Sequence, residues 1–154
     1  MHFTPPTYKR VYNPEIFSEM VKRVTEAMAF LQKKTKFDAI AFSGSSGACM
    51  AYPVAANIGA KLLYVRRKGE ASESHGDPVE AQGTINKYII LDDFVSSGST
   101  IAHIYKSIDE FNKILKSIKC VGLALYQEDD DPSDVRRILS RTLKLPRSFG
   151  IYKV

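Results

Sequence analysis

The stretch YIILDDFVSSGST, residues 88–100, runs four apolar residues into two adjacent aspartates and then into a loop of serine, glycine and threonine. An unbroken apolar run is the pattern of a strand covered on both faces, as in the middle of a parallel sheet. Adjacent carboxylates repel, and a loop with almost no side chains loses much conformational entropy when ordered. A ligand bound at this junction would offset both costs. Past the loop, Ile101, Ile104, Ile108, Phe111, Leu115 and Ile118 return at three- and four-residue spacing. The segment therefore reads strand, small-residue turn, helix.

The same unit occurs once more upstream. FDAIAFS, residues 37–43, is a short apolar strand that runs into GSSGA, and a helix pattern continues through CMAYPVAANIG to a stop at Gly59. AKLLYVRRK (60–68) and KCVGLALYQ (119–127) read as two further strands. At the other end, Asn13-Pro14 offers an Asn cap followed by Pro at the first helical position, and an apolar stripe from Ile16 to Leu31 predicts a helix to about Lys34. Residues 69–86 carry no period and many Gly, Ser and Glu, so a long loop is expected, of a length that usually serves function. Beyond Glu128 come an acidic turn, a short helix over 133–143, and FGIYKV as an edge strand. Strand and helix alternate without repeats or a linker. The expected architecture is one α/β domain over residues 1–154, with a Rossmann-like, mostly parallel central sheet and flanking helices.

Composition narrows the partners. With 154 residues, 44% hydrophobic and 25% charged, the chain fits one soluble domain. A surplus of 22 basic over 17 acidic residues suits an anionic ligand such as a phosphate ester, while the absence of a dense basic tract disfavours nucleic acid. No apolar stretch is long enough to span a bilayer, so no membrane role is expected, and MHFTPPTYKRVYNPE lacks the apolar segment of a signal peptide. Cys49 and Cys120 are far apart with no paired metal-ligand spacing. A cytoplasmic protein with reduced thiols is the expectation.

In open parallel sheets ligands sit beyond the carboxyl ends of the strands. Asp92 and Asp93 lie at one such end, and Ser43-Gly44-Ser45-Ser46-Gly47 at another. Each turn leads into a helix, whose first N–H groups and dipole make an anion site. Gly98 lets the chain approach a phosphate closely, with Ser97, Ser99 and Thr100 as donors. The carboxylates are unsuited to phosphate but suit sugar hydroxyls or a hydrated magnesium ion. Phosphate on one side and a vicinal diol on the other describe a ribose 5-phosphate.

The string IILDDFVSSGST resembles the signature of the type I phosphoribosyltransferases: a strand ending in two acids, two mostly apolar residues, then a small loop of Thr-Gly-x-Thr character. The likeness extends over residues 37–126, which would form the core. SGSSG (43–47) occupies the place of that family's pyrophosphate loop, and YVRRKG (64–69) is similar to the strand that opens its mobile catalytic loop. Ser74-His75-Gly76 resembles the His-Gly in the loop of orotate phosphoribosyltransferases.

The resemblance implies the family's fold with a small hood, drawn from residues 1–13 and 127–154, and transfer of a 5-phosphoribosyl group between phosphoribosyl pyrophosphate (PRPP) and a nitrogenous base. Asp92 and Asp93 would hold the ribose hydroxyls, directly or through Mg2+ and its waters. Ser96, Ser97, Gly98, Ser99 and Thr100 would bind the 5-phosphate. Ser45, Ser46 and Gly47 would touch the pyrophosphate, with Arg67 and Lys68 neutralising it; Arg67, Lys68, His75 and Asp93 form the expected catalytic group. Neutralising the leaving group is then the main catalytic lever. A closing loop would shield the sugar from water, and a homodimer paired along the active-site edge is expected, using apolar surface from CMAYPVAANIGAKLLYV. The partners implied are PRPP and a nucleobase or nucleotide.

The chain also departs from the family pattern. Ser96 stands where hypoxanthine-guanine enzymes place an aspartate, which argues against a 6-oxopurine, and the loop lacks the lysine that orotate enzymes carry before His-Gly. The acceptor is therefore left open. A PRPP- or nucleotide-binding regulatory protein with the same fold and little or no turnover is the alternative. Cys49 and His103 read as a core cysteine and a surface histidine rather than a thiol–base pair, and EDDD (128–131) as a solvated turn.

Overall fold

Asn13 starts the first helix, α1 (Pro14–Thr35), by accepting the N–H groups of Glu15 and Ile16 on its side-chain oxygen, each at 3.1 Å, while Pro14 presets the first turn. Met20, Val24, Met28 and Leu31 are its buried stripe. The computed structural model describes residues 13–70, 77–115, 118–127 and 131–154. After α1 follow β1 (Ala39–Phe42), α2 (Gly44–Ile58), β2 (Lys61–Val65), β3 (Val79–Ala81), β4 (Lys87–Asp92), α3 (Ser99–Leu115), β5 (Lys119–Leu125), α4 (Pro132–Leu139) and β6 (Gly150–Lys153).

The strands form one sheet in the order β3-β2-β1-β4-β5-β6. All neighbours pair parallel except β2 with β3. The chain winds outward from β1 in one direction and from β4 in the other. The gap beyond the carboxyl ends of β1 and β4 is thus the topological switch point, where such sheets bind ligands. The register sets Ala39, Ile40 and Ala41 beside Tyr88, Ile89 and Ile90. Within two residues of that ladder both strands end at the same edge.

Alternation along the strands sorts the core into two layers, since successive side chains point to opposite faces. Ile40, Phe42, Ile89, Leu91 and Ala124 pack under α1 and α2. Ala39, Ala41, Tyr88, Ile90, Leu123 and Leu125 pack under α3 and α4, against Ile101, Ile104, Ile108, Val135 and Leu139. Covering both faces is what demanded the unbroken apolar run in β4. The expected Rossmann-like α/β sheet is therefore present, and FGIYKV supplies the edge strand.

Three boundaries differ from expectation: the short helix read over 133–143 ends at Leu139, where Ser140 caps it and a turn follows, and two others concern β3 and α3. Residues 79–81, read within a long loop, form β3, an antiparallel edge strand with Leu63, Tyr64 and Val65 opposite Ala81, Glu80 and Val79. Three residues with one buried position, Val79, give too short a pattern to register as a strand period. α3 begins at Ser99, two residues before its first apolar position, because serine and threonine fill its opening turn. Residues 127–154, one expected source of a hood, carry α4 and β6 where described, and 1–12 lie outside the described residues.

Candidate active site

Two turns meet at the switch point. The first leaves β1 through Ser43 and enters α2 at Gly44, whose φ of +67° is a left-handed conformation that glycine adopts without strain. A Cβ on Gly44 would run into the Arg67 guanidinium, so Arg67 lies directly over this turn. Gly47 is buried, and an added Cβ would sit 3.0 Å from the Phe42 Cβ and 3.3 Å from the Leu91 carbonyl oxygen. The turn therefore lies flat against the ends of both strands. Beside it opens a cleft of about 450 Å3 whose walls include Ser45, Tyr52, Tyr64, Arg67 and Glu70.

The second turn follows β4. Asp92 and Asp93 are 4% and 6% exposed, so both carboxyls are held nearly out of water. Asp92 Oδ1 accepts from Ser46 Oγ at 3.1 Å and from the Asp93 N–H at 3.0 Å, and Asp93 Oδ1 accepts from the Phe94 N–H at 3.0 Å. Burial, then the neighbouring Asp93 charge, push the Asp92 carboxyl well above its ordinary range. Such a pair is poised for cationic or hydroxylic partners. Among the described residues no group of three or more His, Cys, Asp and Glu side chains could hold a metal. Two carboxylates without further protein ligands fit Mg2+, which keeps waters and binds through one or two carboxylates plus substrate oxygens.

Past Asp93 the chain turns through Ser96 and Ser97 to Gly98, at φ +79°. A Cβ there would meet Ile138 Cγ2 at 3.1 Å and Leu139 Cδ2 at 3.2 Å, so α4 buttresses the loop from behind. Ser97 Oγ lies 3.0 Å from Ser99 Oγ and accepts the Ser99 N–H at 3.3 Å. Ser96, Ser97, Ser99 and Thr100 are exposed at the start of α3. Seventeen residues of helix dipole stand behind this turn, and fifteen behind the turn at Gly44.

The structure thus brings Ser45, Ser46, Gly47, Arg67, Asp92 and Asp93 to one edge, with Ser96–Thr100 beside them. Lys68 is exposed in the turn after β2, and His75 lies outside the described residues.

The family profile PRTase-CE matches residues 8–143. This chain belongs to the PRTase-CE family. An adenine phosphoribosyltransferase of Treponema denticola is 29% identical over 126 residues, or 72% of this chain and 64% of that enzyme. Among solved structures, the adenine phosphoribosyltransferase of Saccharomyces cerevisiae complexed with an imino-altritol bisphosphate and adenine superimposes with TM-score 0.61 at 18% identity, over 92% of this chain and 81% of that one. The Leishmania donovani UMP synthase gives TM-score 0.59 at 19% identity, over 96% of this chain but only 29% of that protein. At these identities the solved structures establish the fold. Together with the family match they bear out the likeness to type I phosphoribosyltransferases read from IILDDFVSSGST.

Several residues around this candidate site gave no such signal in sequence. Tyr126, fully buried just past β5, donates from its hydroxyl to the Ser46 carbonyl at 2.8 Å and lies 3.7 Å from Cys49 Sγ. Burial, then Cys49 and the two carboxylates, push the Tyr126 phenol upward. Cys49, read as a core cysteine, is half-buried at the edge of the core; burial raises its thiol, with the carboxylates adding to it, so the thiol stays protonated. Glu70 Oε2 accepts the Arg67 N–H at 3.0 Å and the Tyr64 hydroxyl at 3.2 Å. His103, read as a surface residue, is half-buried and bonded to the Arg66 carbonyl. No described helix is long and apolar enough to cross a membrane.

Proposed function

We propose that this protein transfers a 5-phosphoribosyl group from PRPP to a nitrogenous base and releases diphosphate. One observation carries the reading: two helix-opening turns flank a pair of buried carboxylates, and an arginine lies over the turn that would take the diphosphate. The order of opposite requirements along this edge (anion, hydroxyl or cation, anion) suits a ribose with a phosphate at one end and a diphosphate at the other.

In this reading the turn at Ser96–Thr100 holds the 5-phosphate with N–H groups and hydroxyls. Asp92 and Asp93 hold the sugar hydroxyls and, with them, Mg2+; when bound, the ion neutralises diphosphate charge. Arg67 and the N-terminus of α2 take up the charge that grows as the bond from C1 to the diphosphate oxygen breaks. The base nitrogen then bonds to C1 and sheds its proton. No side chain attacks the sugar, so rate comes from positioning and electrostatics. Adenine, suggested by the Treponema denticola relative, belongs first in the acceptor panel.

The test is diphosphate release from PRPP with Mg2+ and each of a panel of bases. Release with at least one base, abolished by Arg67→Ala, is expected. PRPP or nucleotide binding without release on any base would instead favour the regulatory reading, and no binding of PRPP or of a nucleotide would refute both.

A further inference from the structure

We propose that His103 is a positioning residue that ties the backbone bearing Arg67 to α3, fixing the arginine that lies over the diphosphate turn relative to the monophosphate turn. The proposal rests on the assignment of those two turns made above. Its starting point is the main chain of Arg66 and Arg67, where every polar group has a partner. The Arg66 N–H donates to the Pro78 carbonyl at 2.9 Å, and the Arg67 carbonyl accepts the Glu70 N–H at 3.0 Å. The Arg67 N–H donates to Glu70 Oε2 at 3.0 Å. The Arg66 carbonyl lies 2.7 Å from His103 Nε2.

Three of these bonds go to Pro78 and Glu70, in the same connection between β2 and β3. The fourth goes to His103. It stands on α3, whose first turn is continuous with Gly98: the Ala102 N–H donates to the Gly98 carbonyl at 2.9 Å. A carbonyl oxygen only accepts, so Nε2 carries the hydrogen in either charge state of the ring, and the bond does not depend on Nδ1. The Arg66 side chain holds the other end of the connection, through an ion pair with Glu80 and a bond from Nε to the Asp77 carbonyl at 3.2 Å. The peptide between Arg66 and Arg67 is thereby clamped, and the guanidinium of Arg67 falls over Gly44. Without the bond from α3 the peptide keeps its bonds within residues 66–78, such as Arg67 N–H to Glu70 Oε2, but loses its tie to α3, and Arg67 is less firmly set over Gly44.

A bond that only packed α3 against β2 would add stability without regard to ligand. A positioning bond affects one part of the ligand and spares the other. Calorimetric titration of ribose 5-phosphate and of PRPP, both with Mg2+, separates the two on the parent, His103→Leu and His103→Gln. Ribose 5-phosphate affinity is expected to stay within about twofold throughout, while the extra affinity of PRPP falls about tenfold in His103→Leu, the effect of losing one side-chain hydrogen bond. His103→Gln should restore it, because its terminal amide nitrogen reaches the place of Nε2. Adding His103→Leu to Arg67→Ala should cost nothing further, since both act on one interaction. Should His103→Leu unfold, His103→Asn replaces it, with a donor that stops short of the carbonyl. A PRPP advantage unchanged in the Leu or Asn variant, or full additivity with Arg67→Ala, would overturn the proposal. A parent that binds neither ligand would instead bring down the assignment of the turns, and the proposal with it.

Discussion

Replacing Asp92 by Asn should make the ligand-free protein more stable while removing its response to PRPP and Mg2+. The folded chain buries Asp92 beside Asp93, which raises its pKa from 3.8 to about 7. Between those values the folded state holds a proton that the unfolded chain releases, so stability falls as pH rises through that window and stays low above it. Each unit corresponds to about 1.36 kcal/mol, which sets a ceiling of roughly 4 kcal/mol on the penalty at pH 8. Asn keeps an oxygen for Ser46 Oγ and the Asp93 N–H, yet its amide is still desolvated. About half the ceiling, ~2 kcal/mol, is the gain expected, or a rise of roughly 4–8 °C in Tm. Urea unfolding of parent and variant in EDTA, from pH 4.5 to 8, is the assay. The advantage of the variant should be small at pH 4.5 and full at pH 8. An advantage that does not grow with pH, or a variant less stable at pH 8, would refute the reasoning. In the second half of the experiment PRPP with Mg2+ raises the Tm of the parent by mass action and leaves the variant unmoved.

Gly98→Ala places a Cβ at φ +79° and within 3.2 Å of Ile138 and Leu139, so a loss of about 1–2 kcal/mol and weaker ribose 5-phosphate binding are expected; equal binding would remove Gly98 from the phosphate turn. Tyr126→Phe leaves the Ser46 carbonyl without its 2.8 Å donor, and about 1–2 kcal/mol of stability should go with it, read by urea unfolding. A homodimer through the α2–β2 face is predicted, where Tyr52 is 57% exposed over the Phe42 ring at 5.5 Å. Light scattering that gives a monomer at tens of micromolar, roughly the range in which an obligate dimer persists, in a preparation that turns over would sink it.

The sequence carried the fold wherever local pattern and burial agree. β4 was legible because both faces of a central strand must be apolar, and α1 because Asn13, Pro14 and a stripe of four buried residues state its start and its face. β3 was not, since its three residues derive their strand character from Leu63, Tyr64 and Val65 across the ladder rather than from themselves. The same division holds at the site. Asp92, Asp93 and the turns at Gly44 and Gly98 were legible because small residues and paired acids are unusual after a strand. Tyr126, Glu70 and His103 were not, because each acts through a bond to a main-chain group: Ser46 lies 80 residues from Tyr126, and Arg66 lies 37 from His103. A bond to a carbonyl places no demand on the identity of the residue that offers it, so its partner leaves no motif.

That asymmetry bears on how such a site would keep its specificity. The small-residue turns and the paired acids lie on two units joined side by side in the sheet, β1–α2 and β4–α3. A ligand that filled only one turn would gain nothing from the other, so the distance between the turns is as much a part of recognition as the turns themselves. The fixed register of Ala39–Ala41 against Tyr88–Ile90 sets that distance at the strand ends. Beyond the strand ends it depends on the bond from Ser46 to Asp92, while Tyr126 braces Ser46 from the end of β5 and His103 holds the Arg66–Arg67 backbone against α3. Each is a single bond of modest strength, about 1 kcal/mol net. Weakening any of them should therefore spare ligands that occupy one turn and penalise those that must span both.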